Sequence, residues 1–276
     1  MALSSLPKVL WDADPVFFRG DGGELRYYSA CVLLSFLGGY ALLSWQLRRG
    51  GGDVEEAGDF LSYGIPGMLI GARLGHVLFY DFEKFISHPA WALQIWQGGL
   101  ASHGGVIGLA LAMVLFTRRR AIPLLEGTDR LVFSALLGAV LFRIGNLFNS
   151  EIVGKPTDGS WGFAFLRRDG DPELLRHPTQ IYEALFGLLV LAVLVVADRR
   201  WGAEKRPRGA LTGLALAFYF SGRFLIEFLK EPEPPDLLWG LDMAQWLSVP
   251  AAVAGFVLLS RCLRKRAAAG WIVSPS

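Results

Sequence analysis

Seven apolar runs, each close to the length of a bilayer, decide what this chain can fold into. They extend roughly from Tyr28 to Leu47, Leu61 to Tyr80, Leu100 to Phe116, Leu131 to Asn149, Thr179 to Ala197, Ala210 to Leu229 and Ala244 to Leu263. About 20 apolar residues in a helix cross the hydrocarbon layer. In lipid a helix satisfies its own backbone hydrogen bonds, so runs of this kind are expected as helices. Only 19% of the residues are charged and mean hydropathy is +0.38, against about 25% charged in soluble domains. The third run is expected to begin as early as Ala90, as an interfacial helix carrying Trp91 and Trp96.

Lys and Arg in short loops set orientation. Loops after the first, third and fifth runs, with the C-terminus, hold fifteen of them, and the opposite side holds nine. This bias puts the N-terminus outside and the C-terminus in the cytoplasm. The expected fold class is therefore all-α: a polytopic integral membrane bundle of seven transmembrane helices with a small extracytoplasmic cap. Residues 1–27 form an extracytoplasmic or interfacial tail, with acidic residues that argue against a cleaved signal peptide. Residues 28–263 are the membrane domain and 264–276 a cytoplasmic tail. The cap is the loop 150–178, rich in turn-forming glycines. Gly67, Gly71 and Gly75 repeat every fourth residue, a pattern that favours close helix packing. Cys31 and Cys262 lie in the first and last runs and read as buried free thiols. No CxxC, HExxH or Cys/His cluster is present, so no metal is expected.

Three arginines, Arg73, Arg143 and Arg223, lie inside the runs. An arginine in hydrocarbon costs from roughly 2.5–3.5 kcal/mol to more than ~10 kcal/mol, depending on the scale. It must be paired, face water or meet an anion. Arg223 and Glu227 are four apart and can neutralise each other. Arg73 and His76 sit near the glycine face, and a structural pairing of Arg73 with a carboxylate such as Glu183 is expected. Arg143 has no acidic neighbour three or four residues away. It shares a helical face with Asn146, and Asn149 and Glu151 follow within a few residues. A planar guanidinium binds phosphate through two parallel hydrogen bonds, and the abundant phosphate in a membrane is a lipid headgroup. His103, followed by Gly104 and Gly105, is a candidate base, because histidine titrates near neutral pH.

The run Phe142-Arg143-Ile144-Gly145-Asn146-Leu147-Phe148-Asn149-Ser150-Glu151-Ile152-Val153-Gly154 resembles the signature of bacterial prolipoprotein diacylglyceryl transferases. Phe142 stands where that family has Gly, and Leu147 where it has Phe. Three further stretches resemble the family in order: Gly98 to Gly105 around His103, Arg176 to Glu183, and Gly222 to Phe228. Tyr27-Tyr28 resembles the family's Trp-Tyr at the start of the first span, with Ser29 in place of Gly. The resemblance implies transfer of the diacylglyceryl group of phosphatidylglycerol to the lipobox cysteine thiol of a prolipoprotein, with release of glycerol phosphate. It implies Arg143 and Arg223 at the phosphate and His103 as base. Asn146 and Asn149 would orient the headgroup, with Glu151 and Glu227 orienting the arginines and Tyr28 and Gly154 also binding substrate. The implied partners are phosphatidylglycerol, the prolipoprotein signal peptide and membrane lipids, with no nucleic acid and no cofactor. The implied location is the bacterial cytoplasmic (inner) membrane. A transporter for an anionic solute is the rival reading, but the fourth and fifth runs are apolar where it needs polar groups. A catalytically silent lipid-binding relative is the second.

Overall fold

The computed structural model describes residues 8–20, 23–53, 55–232 and 239–268, with the side chains of Ser102, His103 and 266–268 outside that description. In chain order the elements are β1 (Lys8–Trp11), β2 (Val16–Gly20), β3 (Gly23–Arg26), α1 (Tyr27–Arg49), α2 (Glu55–Phe79), α3 (Phe82–Ser87), α4 (Ser102–Arg119), α5 (Leu124–Phe148), β4 (Gly162–Phe165), α6 (Leu166–Asp169), α7 (Thr179–Arg200), α8 (Ala210–Glu227) and α9 (Met243–Ala268). The molecule is mostly helical. Five helices are long and apolar enough to cross a membrane: α1, α5, α7, α8 and the Met243–Lys265 part of α9. It is a multi-pass, all-α membrane protein. Helices α2 and α4 occupy the other two apolar runs; in α2 the glycines, Pro66, Arg73 and His76 dilute the apolar content. Where the sequence suggests an early start to the third helix, Pro89–Leu93 and Ile95–Gln97 instead form short 3₁₀ turns. Gly98 and Gly99 follow at positive φ before α4 begins.

The chain divides into two compact units. One comprises Met1–Leu42 with Leu131–Ser276, and the other Leu43–Arg130.

In the larger unit, Phe133 and Leu136 of α5, Val190 and Leu194 of α7, and Leu211, Leu214 and Ala215 of α8 form the core. Farther along these three helices, in the direction of the α5 C-terminus, stand Arg143, Glu183 and Arg223 with Glu227. The apolar packing thus fixes the register that gathers the polar groups. The lipid-compatible surface is explicit on α7, where Leu185 and Leu189 are about three-fifths exposed. Such a stripe in water would mark an interface or an aggregation hazard. Cys31 and Cys262 are both buried, and neither is in a disulfide.

The N-terminal segment, which reads as a polar tail, carries three strands. Strand β1 pairs in parallel with β4, Lys8 against Gly162 through Trp11 against Phe165, while β2 and β3 form a hairpin. Trp11 Nε1 donates to the Leu147 carbonyl at 3.0 Å, and Tyr27 stacks on Phe148 with ring centroids 4.2 Å apart. Strand pairing across so many residues leaves little trace in a local pattern. The loop from Ser150 to Pro178 is held by β4 and by backbone bridges from Pro156 to Arg176 and from Gly154 to Lys230.

In the smaller unit the glycine repeat works as its spacing suggests. A Cβ placed on Gly71 would lie 2.3 Å from the Gly104 carbonyl oxygen, and one on Gly108 would lie 2.0 Å from that of Gly67. Bare backbone on both α2 and α4 is the condition for this approach. Without a hydrophobic drive between helices in lipid, such close contact supplies the dispersion that holds them. Arg73 is buried here and its guanidinium donates to four carbonyls: Ala92 at 2.9 Å, Gly98 at 2.7 Å, Gly99 at 3.1 Å and Trp91 at 2.7 Å. The pairing of Arg73 with Glu183 expected from sequence is therefore replaced by backbone acceptors. A carbonyl-rich turn 91–99 satisfies the same donors without a second buried charge. His76 pairs with Asp81 at 3.0 Å.

Candidate functional site

Arg143 and Asn146 lie three residues apart near the end of α5, and Arg143 Nη1 donates to Asn146 Oδ1 at 3.1 Å. Beyond the helix the chain turns back on itself. The Glu151 N–H donates to the Asn146 carbonyl at 3.1 Å, and Ser150 and Ile152 adopt left-handed backbone with φ of 52° and 57°. Such conformations cost on the order of 1–3 kcal/mol each and persist where surrounding contacts enforce them. Here α7 enforces them: Gln180 Nε2 donates to the Glu151 carbonyl at 2.7 Å and Thr179 Oγ1 to that of Ile152 at 3.0 Å. The turn brings the Glu151 carboxylate onto the amides of Asn146 (2.7 Å) and Asn149 (3.2 Å).

Glu183, in the first turns of α7, is 4% exposed. It receives Arg143 Nε at 2.8 Å, Arg223 Nη1 at 2.9 Å and Lys230 Nζ at 3.2 Å. Lys230 Nζ also reaches Glu227 at 3.1 Å, and Arg223 Nη2 lies 3.9 Å from the same carboxylate. One buried carboxylate thus joins two guanidinium groups from two helices. Sequence analysis assigns the arginine-orienting role to Glu151 and Glu227. Glu227 does lie near Arg223, at 3.9 Å, but Glu151 meets asparagines, and Glu183 contacts both arginines. Among the described residues Arg143 Nη2 has no partner, so part of that planar donor set remains for a ligand. Burial pulls the Lys230 ammonium below the usual lysine pKa, with Glu183 opposing.

Tyr28 packs against the bare backbone of Gly145, where an added Cβ would come within 2.8 Å of the ring, and its ring tilts against that of Phe142. Gly154 also has no room for a side chain, since a Cβ would lie 2.5 Å from the His177 carbonyl oxygen and 2.8 Å from that of Leu229. In the loop, Arg176 is clamped by both oxygens of Asp169 at 2.7 and 3.0 Å. The hydrogen bond to Asp169 raises the Arg176 pKa further. His103 lies in the first turn of α4, and its side chain is outside the described residues.

A sequence model described as prolipoprotein diacylglyceryl transferase matches residues 15–261. The chain belongs to that family. Relatives named phosphatidylglycerol–prolipoprotein diacylglyceryl transferase include that of Chloroherpeton thalassium, 40% identical over 93% of this chain and 95% of its own length. That of Tolumonas auensis is 39% identical over 94% of this chain and 99% of its own. That of Porphyromonas gingivalis is 38% identical over 93% and 95%. Within this member of the diacylglyceryl transferase family, Arg143, Asn146, Asn149, Glu151, Arg223 and Glu227 come together. Two residues of the same cluster escape sequence reasoning. From sequence, Glu183 reads as a partner for Arg73 and as the end of a family-like stretch, and Lys230 is one of the nine cations on the extracytoplasmic side. The signal for Lys230 was its place three residues after Glu227, which puts both on one helical face.

Proposed function

We infer that the chain is a phosphatidylglycerol–prolipoprotein diacylglyceryl transferase of the bacterial cytoplasmic membrane. The observation that carries the site assignment is the shared Glu183 carboxylate, to which both Arg143 of the signature run and Arg223 are ion-paired. The lipobox cysteine sulfur bonds to the terminal glyceryl carbon of phosphatidylglycerol. The bond from that carbon to the phosphate oxygen breaks, and its electron pair leaves on glycerol phosphate. The thiol proton passes to a base. Charge grows on the departing phosphate, so cations already in place bind the transition state more tightly than the substrate. Arg143 and Arg223 take the phosphate. Asn146, Asn149 and Glu151 form a polar edge for the headgroup, with Tyr28 beside it and Gly154 shaping it through the backbone. Glu227 steadies Arg223. A thiol has a pKa near 8.5, so a base helps at neutral pH; His103 is assigned that role on its chemistry and its motif.

The topology that goes with this reading is seven spans, counting α2 and α4, over residues 28–263. The N-terminal segment 1–27 and the 150–178 cap lie outside, and 264–276 lie in the cytoplasm. A reporter after Arg266 then reads cytoplasmic and one at Asp169 reads extracytoplasmic; the reverse at either site refutes the arrangement. The activity is tested by incubating purified protein with phosphatidylglycerol vesicles and a lipobox peptide, followed by mass spectrometry. A diacylglyceryl mass increase on the cysteine supports the assignment, and an unmodified peptide overturns it.

A further inference from the structure

Lys230 is as deeply buried as Glu183, the carboxylate at the centre of the cluster. Its side chain is 4% exposed, and its ammonium lies 3.1–3.2 Å from oxygens of Glu183 and Glu227. Its backbone is equally committed. Lys230 bridges Gly154, the Lys155 N–H donates to the Leu229 carbonyl at 2.8 Å, and the Glu231 N–H donates to that of Val153 at 3.2 Å. The chain spends a buried, fully committed cation on two carboxylates that already have arginines. Charge explains why. Arg143, Arg223 and Lys230 stand against Glu183, Glu227 and Asp242, and the six sum to zero. Without Lys230 the sum is −1. The two carboxylates would then have only the guanidinium groups to satisfy them, and a buried unpaired carboxylate is costly. They would draw the arginines inward, away from the phosphate, while adding repulsion to an anionic lipid.

We propose that Lys230 is a positioning residue of the phosphate site: it occupies Glu183 and Glu227 so that Arg143 and Arg223 keep donors for the phosphodiester. This rests on the transferase reading above and deepens it. The other group facing this pair is Tyr219 on α8, which supplies no cation.

The test compares the full-length protein with Lys230→Met, Lys230→Arg and the double variant Lys230→Met/Glu227→Gln. Transfer and the KM for phosphatidylglycerol are followed from mildly acidic to mildly alkaline pH. Lys230→Met loses transfer by roughly 10–100-fold at neutral pH, the scale typical of groups that orient a ligand-binding side chain from behind, and its KM rises. Its deficit relative to the parent shrinks as pH falls, because a proton on either carboxylate replaces the missing charge. Lys230→Arg stays close to the parent, and the double variant, with charge rebalanced, recovers part of the loss. A Lys230→Met protein at parental rate overturns the proposal. So does a deficit that is equal at every pH and undiminished in the double variant, which would mark a packing role. If Lys230→Met fails to fold, the two charge-balanced variants decide: both active supports the proposal, both inactive overturns it. A parent that transfers nothing condemns the transferase reading itself, not the role of Lys230.

Discussion

Two arginines of the apolar helices, Arg73 buried and Arg143 partly buried, are treated in opposite ways in two units of this chain. Arg73 is saturated. Four main-chain carbonyls take its N–H groups and the Trp91 ring lies 4.2 Å from the guanidinium carbon, an arrangement that adds about 0.5–2 kcal/mol. Arg143 is held at Nε by Glu183 and at Nη1 by Asn146, and among the described residues its Nη2 has no partner. The first is a structural staple that happens to be charged. The second is a cation with its charge balanced and its donors incompletely used, which is what a phosphate site needs. The lesson is that a buried arginine's role follows from what fills its five donors, not from its burial.

Replacing each arginine tests that contrast, and the largest effect belongs to Arg143. Arg143→Ala is expected to lower transfer by about 10²–10³-fold or more, the scale of removing a transition-state donor, while the inserted protein keeps its melting temperature. Arg143→Lys rescues poorly, because a point charge lacks the planar fork. Near-parental turnover by mass spectrometry in Arg143→Ala would erase the distinction.

Arg73→Ala is expected to act on the fold. It strips four carbonyls of their donor, and an unsatisfied buried group costs about 1–3 kcal/mol. A stability loss of about 3 kcal/mol in detergent denaturation, with parental KM for phosphatidylglycerol in the folded fraction, is the expected outcome. A raised KM at unchanged stability would move Arg73 into the site. Asn146→Ala comes next. It removes a hydrogen bond to a charged group, about 1.5–3 kcal/mol, so kcat/KM falls about 10–100-fold; an unchanged value would show that Glu183 alone aims Arg143.

The smallest effect is expected at a third arginine. Arg176 is clamped in the loop by Asp169, and Asp169→Asn is expected to lower stability by about 1–2 kcal/mol, read as a drop in melting temperature, with transfer nearly unchanged. A loss of transfer larger than that of Asn146→Ala would give the loop a direct part in chemistry.

The helices were legible because the apolar runs are long, and in α1, α5, α7, α8 and α9 long and apolar enough to cross a membrane. The half of the site on α5 was legible too, because Arg143, Asn146, Asn149 and Glu151 sit within nine residues of one another. The other half was not. Glu183 meets Arg143 across 40 positions, and only the packing of α5, α7 and α8 through Phe133, Leu194 and Leu211 sets that register. Nothing local distinguishes Glu183 as partner of Arg143 rather than of Arg73. The strands were missed for a similar reason: Lys8–Trp11 has too few residues to announce a pairing with Gly162–Phe165.

That parallel pairing also sets a timetable. Lys8 leaves the ribosome about 150 residues ahead of its partner Gly162. At about 5–20 residues per second of synthesis, β1 waits on the order of 10–30 s with its hydrogen-bonding edge unmatched. An open strand edge is a template for the wrong partner. The residues of β1 are therefore among the last to find their place. Maturation of the chain is paced by the arrival of its middle, not by the order of its translation.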